Sequence, residues 1–160
     1  MVSDWRQLPL ATDALQAGGF IWRGVVVWDK TPAARSPHTG YFRHQCEYVV
    51  WGSKGPLPKA AHRGPLDGCF RFPVLQKDKF HKTGKPSALM RRLVEVVPPR
   101  CISVDPIMGS GTTGVACIEA SRNFIGIKQE VVYFSMARQR LEKKPAQAPL
   151  TLYERDWPVG

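Results

Sequence analysis

Asp105-Pro106-Ile107-Met108-Gly109-Ser110-Gly111-Thr112-Thr113-Gly114 is the stretch whose residue types best suit the binding of a polar ligand. Gly109, Gly111 and Gly114 carry no Cβ, so a ligand can come close to the backbone there. An apolar run, Cys101-Ile102-Ser103-Val104, leads into it and reads as a short buried strand. Val115-Ala116-Cys117-Ile118-Glu119-Ala120 follows and reads as a helix. The glycines therefore fall at a strand-to-helix turn. Beyond them the helix N-terminus presents unpaired N–H groups and a partial positive charge. Such a turn takes the polar end of a nucleotide-like cofactor, although the same spacing also describes tight turns that hold no ligand.

Charge is the second feature with chemical content. The formal net charge is +10. Residues 30–92 hold 13 Lys or Arg against 3 Asp or Glu, so the whole excess lies in the middle third. A concentrated basic region suits a polyanion partner, and a solubilising surface is the competing explanation. Phe70, Phe72 and Phe80 are interleaved there with Arg71, Lys77 and Lys79. Aromatics beside cations suit base stacking and phosphate contact; equally, they can fold a loop onto the core. The four cysteines, Cys46, Cys69, Cys101 and Cys117, form no C-x-x-C pair, so neither a metal nor a disulfide framework is expected. No apolar run is long enough to span a membrane and the N-terminus is not a signal peptide, which points to the cytoplasm.

The elements that must position these residues are legible in outline. A chain of 160 residues supports one domain with a real core. Trp5 to Gln16 reads as a helix, beginning near Pro9 and ended by Gly18-Gly19. Phe20 to Trp28 and Cys46 to Trp51 read as strands that pair as a long-looped antiparallel hairpin. Residues 52–80 are punctuated by Gly and Pro and read as loop. Pro86 opens a helix over Ser87 to Val97, and Pro98-Pro99 stops it. After the glycine loop, Asn123-Phe124-Ile125-Gly126-Ile127 forms a strand, and Val131 to Leu141 forms its helix. Strand, helix, strand, helix argues for a parallel α/β sheet, followed by an irregular tail over 145–160.

Asp-Pro-x-x-Gly-Ser-Gly-Thr-Thr resembles the cofactor loop of the DNA methyltransferases that methylate the amino groups of adenine (N6) or cytosine (N4). The likeness spans nearly the whole chain. His81-Lys82-Thr83-Gly84-Lys85-Pro86 resembles the family segment His-Pro-Thr-Glu-Lys-Pro. Phe124-Ile125-Gly126-Ile127 with Tyr133, Ala137 and Arg140-Leu141 is similar to the strand and helix after the family's glycine loop. Trp28-Asp29-Lys30 and Glu47-Tyr48-Val49-Val50-Trp51 resemble its two late strands. The order matches the subclass with the catalytic half first and the cofactor half last, in a form like that of phage and prophage members. The resemblance implies an α/β fold: an incomplete, Rossmann-like S-adenosylmethionine-dependent methyltransferase sheet with an antiparallel hairpin and a basic loop insertion. Residues 1–160 would form one domain, with late strands over 1–52, a target-recognition-like loop over 53–80 and the cofactor part over 81–144.

On that likeness, S-adenosylmethionine would be held by Asp105, Pro106, Ile107, Gly109, Ser110, Gly111, Thr112, Thr113 and the residue at position 128. Thr83 and Lys85 would flank its methionine end. Double-stranded DNA would be the partner, with Arg35, Arg43, Arg63, Arg71, Lys77 and Lys79 on its phosphates. Three positions depart from the family. The Asp/Asn/Ser-Pro-Pro-Tyr/Phe/Trp loop that grips the flipped base is absent, since the only Pro-Pro pair is flanked by Val97 and Arg100. No catalytic residue is therefore expected in this chain, and the loop and its strand are expected upstream of Met1. Lys128 stands where an acidic residue accepts the ribose hydroxyls, and Lys has no acceptor. Ile107 stands where the family often has Phe.

In the family sheet the catalytic strand and its neighbour lie between the cofactor strand and the late strands. Their absence would leave unpaired edges at about 1–3 kcal/mol for each buried group, against a total stability of about 5–15 kcal/mol. The chain is thus expected to rearrange, to pair with a second polypeptide or a second copy, or to fold poorly alone. Three functions follow: an enzyme component that needs a partner segment, a non-catalytic DNA-binding or decayed relative, and an NADP-binding module. Lys128 suits the last through a 2′-phosphate, and the Asp-Pro-x-x-Gly-Ser-Gly-Thr-Thr string argues against it.

Overall fold

A computed structural model describes residues 1–32, 34, 38–57, 64–74, 85–99, 101–144 and 150–154. The chain divides into two compact units, Met1–Val74 and Leu75–Gly160.

The first unit holds β1 (Val2–Ser3), α1 (Leu8–Ala17), β2 (Ile21–Asp29), β3 (Cys46–Ser53) and β4 (Cys69–Arg71). Their sheet has the order β1-β3-β2-β4. The β-branched and aromatic content of β2 and β3 suits a pleated surface, and they pair antiparallel from Ile21↔Ser53 to Asp29↔Cys46. That is the expected hairpin. The first helix starts later than Trp5 because Asp4 holds residues 4–7 in a turn: its Oδ1 accepts the amides of Arg6 (2.9 Å) and Gln7 (3.2 Å). Pro9 then sits in the first turn of α1, where no amide is needed.

The segment expected to be loop contains β4, which runs parallel to β2 with Val27↔Cys69 and Asp29↔Arg71 in register. Three residues are too few to show a periodicity, and the pairing is secured from outside the strand. Trp28, only 2% exposed, donates its indole Nε1–H to the Phe72 carbonyl at 2.8 Å. Phe70 is buried, so it folds the chain onto the core instead of offering a stacking face.

The second unit holds α2 (Ser87–Val94), β5 (Ile102–Asp105), α3 (Thr112–Glu119), β6 (Asn123–Lys128), α4 (Val131–Glu142) and β7 (Leu150–Glu154). The strands are parallel in the order β5-β6-β7. The expected βαβα pattern is present, with two differences. α2 stops at Val94 and not at Val97, because Pro98 and Pro99 have no N–H to donate to the carbonyls of Val94 and Glu95; Val96 and Val97 instead donate three residues back, to Leu93 and Val94. The tail expected to be irregular supplies β7, which pairs with β6 from Phe124↔Leu150 to Lys128↔Glu154. Only Ser103 of β5 is buried; Ile102 and Val104, expected to be inside, are 56% and 58% exposed. Among the described residues β5 pairs with β6 on one side only, and parallel strands ordinarily have both faces covered.

The core of this unit lies between α3, α4 and β6, with Ala116, Cys117 and Ala137 fully buried and Phe124 and Leu141 at 1% exposure. Small residues let the helices approach the strand closely. Gly114 is one such close approach: a Cβ there would lie 2.7 Å from Phe124 Cε1 and 2.8 Å from Leu141 Cδ2. Gly114→Ala should therefore destabilise the protein in denaturant unfolding. Overpacking costs about 1–3 kcal/mol, which outweighs a helix-propensity gain of about 1 kcal/mol; equal or higher stability would contradict this packing.

Candidate functional site

The strand-to-helix turn is built as the sequence implies, and its own side chains fix its shape. β5 ends at Asp105. Asp105 Oδ1 accepts the Ile107 amide at 3.1 Å, and Oδ2 accepts the Thr113 hydroxyl at 2.6 Å. The carboxylate thus ties the start of the loop to the first turn of α3, so each oxygen already accepts one bond within the turn. Met108 is buried and its amide donates to the Ile127 carbonyl at 3.1 Å, which anchors the loop on the end of β6. Gly109 (φ +53°) and Gly111 (φ +77°, the N-cap of α3) take left-handed conformations that side chains rarely adopt.

Behind the loop stands Arg140 of α4. Its Nη1 donates to the Ser110 carbonyl at 3.0 Å and to Thr112 Oγ1 at 3.1 Å. Ser110 and Thr112 are accordingly buried and face the helix. The sequence reading named Arg140 only with Leu141 in the resemblance to the family's helix and gave it no role at the loop. The glycines divide their tasks. A Cβ at Gly111 would come 3.3 Å from Ala137 Cβ, and Gly114 serves the core contact, so these two serve packing. At Gly109 no atom lies within 4 Å of the Cβ position, so the backbone there faces open space. Pro106 and Ile107 are exposed beside it, Ile107 at 79%, and Thr113 is half-buried. The outward-facing part of the turn is therefore Pro106, Ile107 and Gly109, next to the N-terminus of α3.

At the end of β6, Lys128 is held rather than free. Its Nζ lies 3.3 Å from Glu130 Oε1 and 5.3 Å from the Tyr133 ring centroid. Glu130 is the residue before α4, with an extended backbone (φ −85°, ψ 116°) and an exposed side chain. Position 128 thus carries a cation neutralised by a neighbouring carboxylate. Lys85 is half-buried just before α2; Thr83 lies outside the described residues.

Of the six basic residues assigned to nucleic acid, Arg35, Arg63, Lys77 and Lys79 lie outside the described residues. Arg43 is exposed, with Nη1 donating to the Pro32 carbonyl at 3.2 Å. Arg71 is exposed and its Nε donates to Asp29 Oδ2 at 2.8 Å. Asp29 is buried and also accepts from Gln45 Nε2 and the Thr31 amide, each at 2.7 Å. The Gln45 amide, then the Thr31 N–H and Arg71, hold its carboxyl below the ordinary value despite its burial. Among the described residues no group of His, Cys, Asp or Glu could hold a metal ion, and no helix is long and apolar enough to cross a membrane.

Comparison with known proteins places this geometry. The N6/N4 family described as DNA methylase matches residues 3–139. The chain is 30% identical to a protein called putative methylase YubD of Escherichia coli (strain K12), over 86% of this chain and 58% of the relative. It is 32% identical to the type II methyltransferase M2.DpnII of Streptococcus pneumoniae, over 81% of this chain and 54% of the relative. The chain thus spans little more than half the length of these curated relatives. Among solved structures, the complex of M1.HpyAVI with S-adenosylmethionine is 30% identical with a TM-score of 0.71, covering 88% of this chain and 72% of that one. The cytosine-N4-specific PvuII DNA methyltransferase, 16% identical, shares the fold with a TM-score of 0.68. With the fold, the glycine turn and the family match over most of its length in agreement, the chain belongs to the N6/N4 DNA methylase family.

Proposed function

We propose that this chain is the cofactor-binding and DNA-gripping part of an S-adenosylmethionine-dependent DNA methyltransferase acting on the amino group of adenine or cytosine. The observation that carries the reading is the turn between β5 and α3, in which Gly109 faces open space beside the N-terminus of α3. A donor with a flexible, zwitterionic methionine end fits such a place. The open backbone admits its carboxylate to the helix amides, and exposed Ile107 offers an apolar contact. When bound, the cofactor supplies a methyl group on a sulfonium that leaves readily. The protein's task is positioning. Asp105 and Arg140 hold the turn from its two sides. Lys85 and Thr83 flank the methionine end. Arg35, Arg43, Arg63, Arg71, Lys77 and Lys79 contact phosphates of double-stranded DNA. The chain acts in the cytoplasm.

Base gripping and acceptance of the amine proton require an Asp-Pro-Pro-Tyr-type loop, and this sequence has none. The exposed apolar face of β5, with Ile102 and Val104, supports a partner segment, from a second polypeptide or a second copy, that completes the sheet. A second reading, a non-catalytic DNA-binding relative, is favoured by one observation: the cation at Lys128 in place of a ribose acceptor.

Three measurements test these readings. Calorimetric titration should give saturable S-adenosylmethionine binding and none with NADP; binding of NADP alone would overturn the cofactor assignment. Radiolabelled methyl transfer to duplex DNA by the chain alone should be absent, and measurable turnover would contradict the need for a partner segment. Lys128→Glu should tighten S-adenosylmethionine binding, since hydrogen bonds to a charged acceptor contribute about 1.5–3 kcal/mol, or roughly ten- to hundredfold. Unchanged or weaker affinity would count against ribose binding at this position.

A further inference from the structure

We propose that Asp29 is a positioning residue that holds Arg71 as a pre-formed grip for a DNA phosphate; this rests on the DNA-binding reading and adds a residue and a geometry to it. Asp29 ends β2, and Arg71 ends β4 directly beside it in the parallel register. Ligands of open sheets gather at the carboxyl ends of parallel strands, which is where this pair sits. The ion pair has a particular form. Of the Arg71 nitrogens, Nε alone donates to Asp29, at 2.8 Å, and the arginine side chain is 76% exposed while that of Asp29 is 10% exposed. Guanidinium has five N–H donors, four of them on the two terminal nitrogens. The contact fixed on Nε leaves the outer end of the fork for a second anion.

A buried carboxylate is a costly way to hold an exposed side chain unless the orientation matters. Asp29 is secured independently of Arg71 by the Thr31 amide and Gln45, which belong to the two ends of the β2–β3 connection. It is therefore a fixed post against which the arginine is set. An arginine ordered in advance loses less side-chain entropy on meeting a phosphate, and its planar fork matches two phosphate oxygens. The competing explanation is that the pair only fastens β4 to β2.

The two explanations predict opposite signs for one variant. Asp29→Asn removes a negative charge from a polyanion-binding surface, so charge alone would tighten DNA binding. Positioning requires it to weaken. The experiment is binding of a short double-stranded DNA probe by the full chain across a salt series. The expected result is a loss of about three- to tenfold for Asp29→Asn, and a similar loss for Arg71→Lys, which keeps the charge but not the fork. Arg71→Gln, at an exposed position, should also flatten the plot of log affinity against log salt by about 0.9, the value for one phosphate contact. Asp29→Asn added to Arg71→Gln should weaken binding no further. Unchanged or tighter binding by Asp29→Asn, full affinity for Arg71→Lys, or an unaltered salt slope for Arg71→Gln would each overturn the proposal. Absence of salt-dependent DNA binding by the unaltered chain would instead remove the DNA reading itself, and this grip with it.

Discussion

The 2.6 Å hydrogen bond from the Thr113 hydroxyl to Asp105 joins the end of β5 to the first turn of α3, and the form of the glycine turn depends on it. A loop with left-handed glycines at Gly109 and Gly111 is floppy in isolation. Here it is tied at three places: in front by Asp105, beneath by the Met108 amide on β6, and behind by Arg140. What remains outward is backbone and an apolar side chain, which is the surface a binding turn needs. The core contact at Gly114 lets α3 lie close to Phe124 of β6 and Leu141 of α4 beneath the turn.

The order of elements was legible because the signals were local. Val and Trp in β2, Pro86 before α2 and the glycine string before α3 each act within a few residues. β4 and β7 were not legible, because their pairing is decided by neighbours far along the chain: β2 for the one and β6 for the other. The same division applies to the site. The turn was visible from its glycines. The roles within it were not, since residue type does not say which way Ser110 and Thr112 face until Arg140 is placed behind them. Nor does it say that the carboxylate of Asp105 is engaged inside the turn. Lys128 was flagged by its charge, but its pairing with Glu130 depends on the extended backbone before α4.

The two sheets differ in how their edges are treated. In the first unit, β2 receives β4 from the chain's own connection, and β3 receives β1. In the second, β5 has one partner strand among the described residues and shows Ile102 and Val104 to solvent. Exposed β-branched residues on a strand next to the glycine turn leave an apolar surface that a further element could cover. The family relatives are longer than the stretch this chain matches, so the length for such a segment exists in their architecture.

Nuclear magnetic resonance of the free chain during titration with S-adenosylmethionine tests most directly whether the turn is a binding site already in shape. Backbone amide shifts should be confined to residues 107–113 and the end of β6 near Lys128, with the amides of the α3–α4 core unmoved. Shifts centred elsewhere, no shifts at saturating cofactor, or a turn whose signals sharpen only when the cofactor arrives would contradict it.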